Sequence, residues 1–342
     1  MNQKIKIVAL VPLVWIAAMI ISALVFLGAS LICAEVDKRI VVQDSDLQLD
    51  LAYQQPYVPT ETSKQLEAVS QTVEIKNEDY KALIRFLSCK QNCDSTKIKQ
   101  IARKHAKALT VFEQIQWANL PKLYEYPYGL YDMPERAGDN VKMSVFGLLT
   151  VQMAQLKLEA LTDYNVSRFR SGMERILQAT DWLASSPSMV ELAVSIATKR
   201  NLAKMLLSLS DLEHACLSEI AERSILSKQQ VNNVIKGEYA LLNTALNTIH
   251  TPWNMHTWLG VYFFMPNRTR QLLSNRIREI MTSNKPLTPL SVQWQWSWLP
   301  GGMGERMFVE QQDESLIKLI NLAKQANDDL KQVVSSIRAN CL

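Results

Sequence analysis

The sequence predicts an all-α chain: an N-terminal transmembrane helix followed by a body of α-helical hairpins resembling a tetratricopeptide-like repeat or α-solenoid. Three observations point there. Ile7 to Leu31 carries no charged residue. Apolar residues recur at three- and four-residue spacing through most of the chain beyond it, and the central helical segments are joined by turns of a few residues.

The apolar run predicts an anchor because a helix rises 1.5 Å per residue, so about 20 residues cross a hydrocarbon core of about 30 Å. Each Leu, Ile, Val or Phe near the middle favours insertion by about 0.3–0.6 kcal/mol, and no charge imposes the opposing ~3 kcal/mol. Pro12 falls in the first turns of the run, where a missing N–H costs least. Lys4 and Lys6 precede the run, while Glu35, Asp37, Lys38, Arg39, Asp44 and Asp46 follow it as a mixed group. This bias keeps residues 1–6 in the cytoplasm, with the anchor at 7–33 in the inner membrane and the body in the periplasm. The rival reading is a cleaved signal peptide ending near Ile32-Cys33-Ala34, whose apolar region would be only about 7–15 residues long.

Composition is that of a folded globular protein, with 48% hydrophobic and 20% charged residues. A net charge of +4 over 342 residues, with basic and acidic side chains interspersed, implies no nucleic-acid partner. In an exported body Cys89, Cys93, Cys216 and Cys341 are candidates for disulfides, Cys89 with Cys93 closing a small loop and Cys216 meeting Cys341. Free buried thiols are the alternative. No second close Cys or His pair completes a zinc site, so no metal and no cofactor is expected.

Residues 34–76, polar and centred on PYVPTETS, read as a stalk, leaving 77–342 as the helical extracytoplasmic domain. Asn77 or Asp79 is expected to cap a helix with Tyr80, Leu83, Ile84 and Leu87 on one face. Asp94 is expected to cap another with Ile98, Ile101, His105, Leu109 and Phe112 on its stripe. An aromatic loop follows over 119–139, holding Tyr124, Tyr126, Tyr128 and Tyr131. Three regular helical segments then turn around Asp163 and Ser186-Pro187. The second of these carries Phe169, Met173, Ile176, Leu177, Thr180 and Leu183 on one side and Arg168, Arg170, Glu174 and Arg175 elsewhere. Further helices are expected over 212–222 and 227–249, then from Asn267 or Thr269 as cap, and finally over 310–340 with Leu316, Ile320, Ala323, Leu330, Val334 and Ile337 inward.

Lys236-Gly237-Glu238-Tyr239, the FMPNRT element at Phe264 to Thr269 and the Pro-Gly-rich LPGGMGERM before the terminal helix resemble a group of single-pass bacterial envelope proteins. The family's PN-[RA]-T element corresponds to Pro266, Asn267, Arg268 and Thr269, and its Glu at the start of a preceding helix to Glu238. The resemblance implies an inner-membrane anchor and a helical periplasmic body, and it supplies no chemistry.

Candidate sites are few. His105 on an apolar stripe reads as a core histidine. Asp211, Glu213 and His214 read as a helix start. Glu238 with His250 and His256 could transfer protons in an extracytoplasmic, cell-wall-active hydrolase, although a polar network at a helix end explains the same residues. Arg268, Arg270, Arg276 and Arg278 could meet anionic headgroups or an acidic partner. Trp294, Trp296 and Trp298 alternate, so an extended segment would point all three to one side. The function expected is a membrane-anchored scaffold or adaptor rather than an enzyme. Its partner would be another envelope protein, from an envelope or secretion assembly such as type VI, bound through the aromatic segments together with Arg268 and Arg270.

Overall fold

In the computed structural model the described residues are 2–48, 60–90, 93–120, 137–163, 165–209, 217–249, 266–283 and 302–340. Among them every regular element is helical, which establishes the all-α class. The helices are α1 (Asn2–Lys38), α2 (Glu61–Thr72), α3 (Asn77–Ser88), α4 (Thr96–Lys104), α5 (Ala106–Gln114) and α6 (Ala137–Thr162). They continue as α7 (Val166–Ser185), α8 (Met189–Ser208), α9 (Leu217–Arg223), α10 (Lys228–Ile249), α11 (Pro266–Thr282) and α12 (Gly302–Asn340). The chain divides into two compact units, one of Met1–Leu47 with Leu242–Ser315 and the other of Gln48–Leu241 with Leu316–Leu342.

In the second unit, α6 packs against α2, α3, α4, α5, α7 and α8, and α8 against α3, α6, α7 and α9. A solenoid repeat touches only its neighbours. The expected hairpin pairs α6/α7 and α7/α8 are present, but α3 also reaches α8 and α2 reaches α6, so the helices close around α6 as a bundle rather than stacking as a solenoid. The cause lies in α6 itself: Val145, Leu148, Leu149, Val151, Met153, Ala154, Leu156 and Ala160 are all buried, a sequence of positions that leaves no solvent side.

The surrounding helices are one-sided as their patterns predict. On α7, Phe169, Met173, Ile176, Leu177, Thr180 and Leu183 are buried. Its charged side chains pair outward, Arg168 with Glu159, Arg170 with Glu219, Arg223 with Glu174 and Arg175 with Glu113. Exposed pairs of this kind contribute only about 0–1 kcal/mol each, so the apolar face holds the helix in place. Asn165 caps α7 by accepting from the Arg168 N–H, and Ser188 accepts from the Val190 N–H at the start of α8.

Several local expectations are corrected. A helix covers 61–72 within the segment read as stalk: Leu66, Val69 and Val73 recur at helical spacing and enter the core. Thr60 and Ser63 cap that helix reciprocally, the Thr60 N–H donating to Ser63 Oγ (2.8 Å) and the Ser63 N–H to Thr60 Oγ1 (3.2 Å). At α3 the capping position is Lys76, with no side-chain cap from Asn77 or Asp79. The stripe from Ile98 to Phe112 is buried throughout but is divided at His105, where α4 ends and α5 begins. The terminal helix starts at Gly302, upstream of the expected Glu310, since Glu305 to Gln312 contains ordinary helix formers. Its inward positions Leu316, Ile320, Ala323, Leu330 and Val334 are buried. Among the described residues no helix is long and apolar enough to cross a membrane. Within α1 the side chains are described over 14–25, at 28, and over 31–32 and 35–38.

Among the described glycines of this unit, Gly237 of α10 is the one where an added Cβ would collide with backbone, at the Pro187 carbonyl oxygen. At Gly172 the nearest atom is the Leu156 Cδ2 at 2.5 Å, the mobile end of a side chain. Gly237→Ala should therefore destabilise the protein by about 3 kcal/mol or more, and Gly172→Ala by about 1 kcal/mol, because backbone cannot yield as a leucine tip can. Chemical denaturation of both variants checks the order, and an equal cost would contradict the contact.

Candidate functional site

Among the described residues, two of the places where polar side chains from distant parts of the sequence meet involve residues singled out in the sequence. The first lies in the unit containing the N-terminal helix. Pro266 opens α11, a position where its missing N–H would lack a partner in any helix. The next two N–H groups donate to Asp37 of α1, Asn267 to Oδ2 (3.1 Å) and Arg268 to Oδ1 (2.9 Å). The Asn267 amide completes the clasp by donating to the Asp37 carbonyl oxygen at 3.1 Å. Asp37 is only 5% exposed, so its charge is held by a helix N-terminus rather than by water. This reassigns the cap of α11 from the expected Asn267 or Thr269 to a residue about 230 positions away.

The PN-R-T element therefore acts as the receiving end of α1. Farther along α11, Arg276 is 4% exposed and pairs through two N–H groups with the equally buried Asp313 of α12, at 2.7 and 3.2 Å. Arg276 also donates to Glu279 at 2.7 Å. Burial works against its charge, but these carboxylates outweigh it and hold the guanidinium pKa above its usual range. Arg278 grips Asp46 through two N–H groups, at 2.6 and 2.8 Å, and also donates to the Gln43 carbonyl oxygen. Of the four clustered arginines, Arg276 and Arg278 are thus structural ties. Arg268 and Arg270 sit in the first turn, both half-buried.

The second place is the start of α8. Gly237 brings α10 against Pro187, and the next residue, Glu238, accepts from the Met189 N–H at 3.2 Å. The Lys-Gly-Glu-Tyr segment is thereby explained by packing: Gly237 permits contact, Glu238 occupies the N-terminus of α8, and Tyr239 is 2% exposed. Burial pushes the Glu238 carboxyl up to about 7. The Met189 N–H opposes that rise and the charge of Glu191, 1% exposed on α8, adds to it. His250 and His256, the other members of the expected acid–base group, lie outside the described residues.

Sequence reasoning missed two enclosed lysines. Lys157 of α6 and Lys199 of α8 are both fully buried. Lys199 donates to Asp181 at 3.3 Å, and burial lowers its pKa. Lys157 interrupts a helix rich in apolar residues, and that interruption is the available signal, whereas Lys199 stands beside Arg200 and Asn201 and carries none. His105 is 5% exposed, in accord with a core histidine, and burial lowers its pKa.

Cys89 and Cys93 are bonded, with Cα atoms 5.9 Å apart, as the small-loop expectation has it. Cys216, Cys341, Tyr124, Tyr126, Tyr128, Tyr131, Trp294, Trp296, Trp298, Asp211, Glu213 and His214 lie outside the described residues. No group of His, Cys, Asp and Glu able to hold a metal ion occurs among the described residues. Comparison of the chain with protein-family models, with curated proteins and with solved structures finds no match.

Asp37→Ala should destabilise the α1–α11 junction by about 2 kcal/mol, since two helix N–H groups lose their acceptor in a buried setting. Faster hydrogen exchange at the Asn267 and Arg268 amides is the measurement, and unchanged protection would contradict the clasp. At the second place, folding favours protonated Glu238. Its contribution is whole below the ordinary carboxylate value of 4.5, declines as pH rises, and is lost above about 7. Glu238→Gln keeps an acceptor for the Met189 N–H without the charge. It should stabilise the protein at pH 8 by on the order of 2 kcal/mol, read as a rise of roughly 4–8 °C in the thermal midpoint, and change little near pH 5. A midpoint difference independent of pH would refute this assignment.

Proposed function

We propose that this chain is a membrane-anchored extracytoplasmic scaffold or adaptor that binds another envelope protein. The observation that carries the reading is the character of α1. Ile7 to Leu31 is uncharged, and Val14, Trp15, Ile16, Met19, Ile20, Ile21, Leu24 and Val25 expose large apolar side chains around the whole circumference. Such a surface suits hydrocarbon, whereas a helix at the surface of a globular protein has a polar side.

Lys4 and Lys6 ahead of the run favour a cytoplasmic N-terminus and an exported body. The Cys89–Cys93 bridge is in keeping with an oxidising compartment. For partner contact the reading draws on the aromatic segments carrying Tyr124, Tyr126, Tyr128 and Tyr131 and Trp294, Trp296 and Trp298, together with Arg268 and Arg270. Aromatic and arginine side chains dominate the energetics of protein interfaces. A partner within a multi-protein envelope or secretion assembly fits this placement.

A second reading, an extracytoplasmic cell-wall-active hydrolase, draws on Glu238, whose carboxyl near 7 suits a general acid. Its engagement with the start of α8 favours the adaptor reading.

Alkaline phosphatase fused after residue 342 should be active in cells, and an inactive fusion would overturn both the orientation and the compartment. In-cell crosslinking should capture a defined envelope protein with the wild type and with Glu238→Gln. Capture should fall at least tenfold when Trp294, Trp296 and Trp298 are changed together to Ala. Loss of the cellular phenotype in Glu238→Gln with capture intact would instead select the hydrolase.

A further inference from the structure

The small net charge of the chain conceals a local excess of basic residues. Residues 76–107 hold nine basic and three acidic side chains, a net charge of +6 against +4 for the whole chain, so the other 310 residues are net negative. This stretch forms α3, α4 and the start of α5. All three helices rest on α6 and α3 lies against α4, so their apolar faces enter the bundle and their basic faces meet solvent.

Lys81 and Arg85 stand four residues apart on α3, Lys99 and Arg103 four apart on α4, and Lys104 and Lys107 follow. All six are exposed. Like charges at that spacing oppose helix formation by about 0.2–0.5 kcal/mol per pair. The helix dipole offsets part of this at Arg85, Arg103 and Lys104, which lie in last turns. None of the six forms an ion pair among the described residues, and α4 contains no acidic residue. Of the three acids in the stretch, Asp79 is paired with Lys97 (3.4 Å) and Asp94 accepts from the Thr96 N–H (2.9 Å). On α7, by contrast, Arg168, Arg170 and Arg175 each meet a carboxylate of the chain itself.

Between α3 and α4 runs an open groove of about 500 Å³, with Lys81 and Arg85 on one wall, Lys97 on the other, and Glu78 and Asp94 also lining it. A surface of this charge fits an anionic partner. Helices that bind a lipid surface set large apolar side chains into it beside their basic ones, and no large apolar side chain is exposed on α3, α4 or α5. Single-stranded nucleic acid is held by stacking on free aromatic rings, whereas here Tyr80 packs on Phe146, Phe112 on Trp117, and Phe86 is buried. Carboxylate side chains of a protein remain, and guanidinium groups hold them through two parallel N–H bonds.

We propose that the outer faces of α3, α4 and α5, with the groove between α3 and α4, are a docking surface for an acidic segment of the partner protein. Lys81, Arg85, Lys99 and Arg103 are its principal contacts. The inference rests on the adaptor reading and adds a second surface to the aromatic segments.

Titration of the full chain in phosphatidylcholine nanodiscs with a fluorescent oligoglutamate peptide tests the surface without the partner. Wild type should bind, and raising the salt from about 50 to 300 mM should weaken binding at least tenfold. Changing Lys81, Arg85, Lys99 and Arg103 together to Gln should weaken it at least tenfold at the lower salt. The same change at Arg168, Arg170, Lys228 and Lys324 removes equal charge and should weaken it less than threefold. All eight positions are exposed and Gln is a good helix former, so both variants should keep the fold. Absence of binding by wild type, insensitivity to salt, or equal loss in the two variants would overturn the proposal. Phosphatidylglycerol vesicles that displace the peptide at a lower anion concentration than unlabelled peptide does would overturn it in favour of a lipid.

In cells, a photo-crosslinker at the exposed Gln100 of α4 should join the captured partner through a segment rich in Asp and Glu. A partner captured elsewhere on the chain but never from Gln100, or joined there through a neutral or basic segment, would overturn the surface and leave the adaptor reading standing. Capture of no partner from any position would overturn the adaptor reading, and the peptide and vesicle titrations then decide the surface. Should the variant on α3 and α4 fail to fold, the wild-type salt series and the Gln100 crosslink decide.

Discussion

The larger unit is organised by the need to enclose α6. With buried positions on every side, this helix cannot lie at the edge of a layer, so α2, α3, α4, α5, α7 and α8 must surround it. That requirement turns a succession of helical hairpins into a closed bundle. It also determines which faces of α3 and α7 are buried, since each must present its apolar stripe to the same centre. Gly172 and Gly147 follow from it too: each lets a neighbouring aliphatic side chain, Leu156 and Ile75 respectively, press against helix backbone.

Enclosing α6 also encloses Lys157, and desolvating an ammonium costs several kcal/mol unless the surroundings supply acceptors. The end of α3 supplies them. Helix C-termini leave carbonyl groups without intrahelical donors, so a buried lysine and a buried helix end satisfy each other. An aspartate does the complementary service in the smaller unit, where Asp37 gathers the N–H groups at the start of α11. At α8 the partner is Glu238, whose charge is opposed by burial more than it is favoured by the helix start. In all three places a helix end recruits a side chain of opposite polarity from another element, and at Lys157 and Glu238 burial works against the charged form.

Much of the local structure was legible because it depends on short-range patterns. The stripes of α3 and α7 and the turns at Asp163 and Ser186-Pro187 follow from spacing alone, whereas for Cys89 and Cys93 spacing allows a bridge or free thiols and the structure shows the bridge. The helix over 61–72 escaped notice because its apolar positions are few and polar residues surround them. It becomes evident only when Leu66, Val69 and Val73 have a core to enter. The division at His105 escaped for the opposite reason, since the apolar stripe runs unbroken through it while the backbone does not. Glu238 drew attention as a lone acid on a helix, but its role rests on Gly237 meeting Pro187, a contact between residues 50 positions apart.

Sequence by itself determined the helical class, the apolar character of Ile7 to Leu31, the outward charges of α7 and the inward face of α12, because each is a matter of periodicity along one segment. Only the tertiary structure decided that the hairpins close around α6, that Asp37 caps α11, that Arg276 is spent on Asp313 and that Lys157 meets the end of α3. These depend on which helix ends and which buried charges meet, and pairing of that kind leaves no periodic trace in the chain.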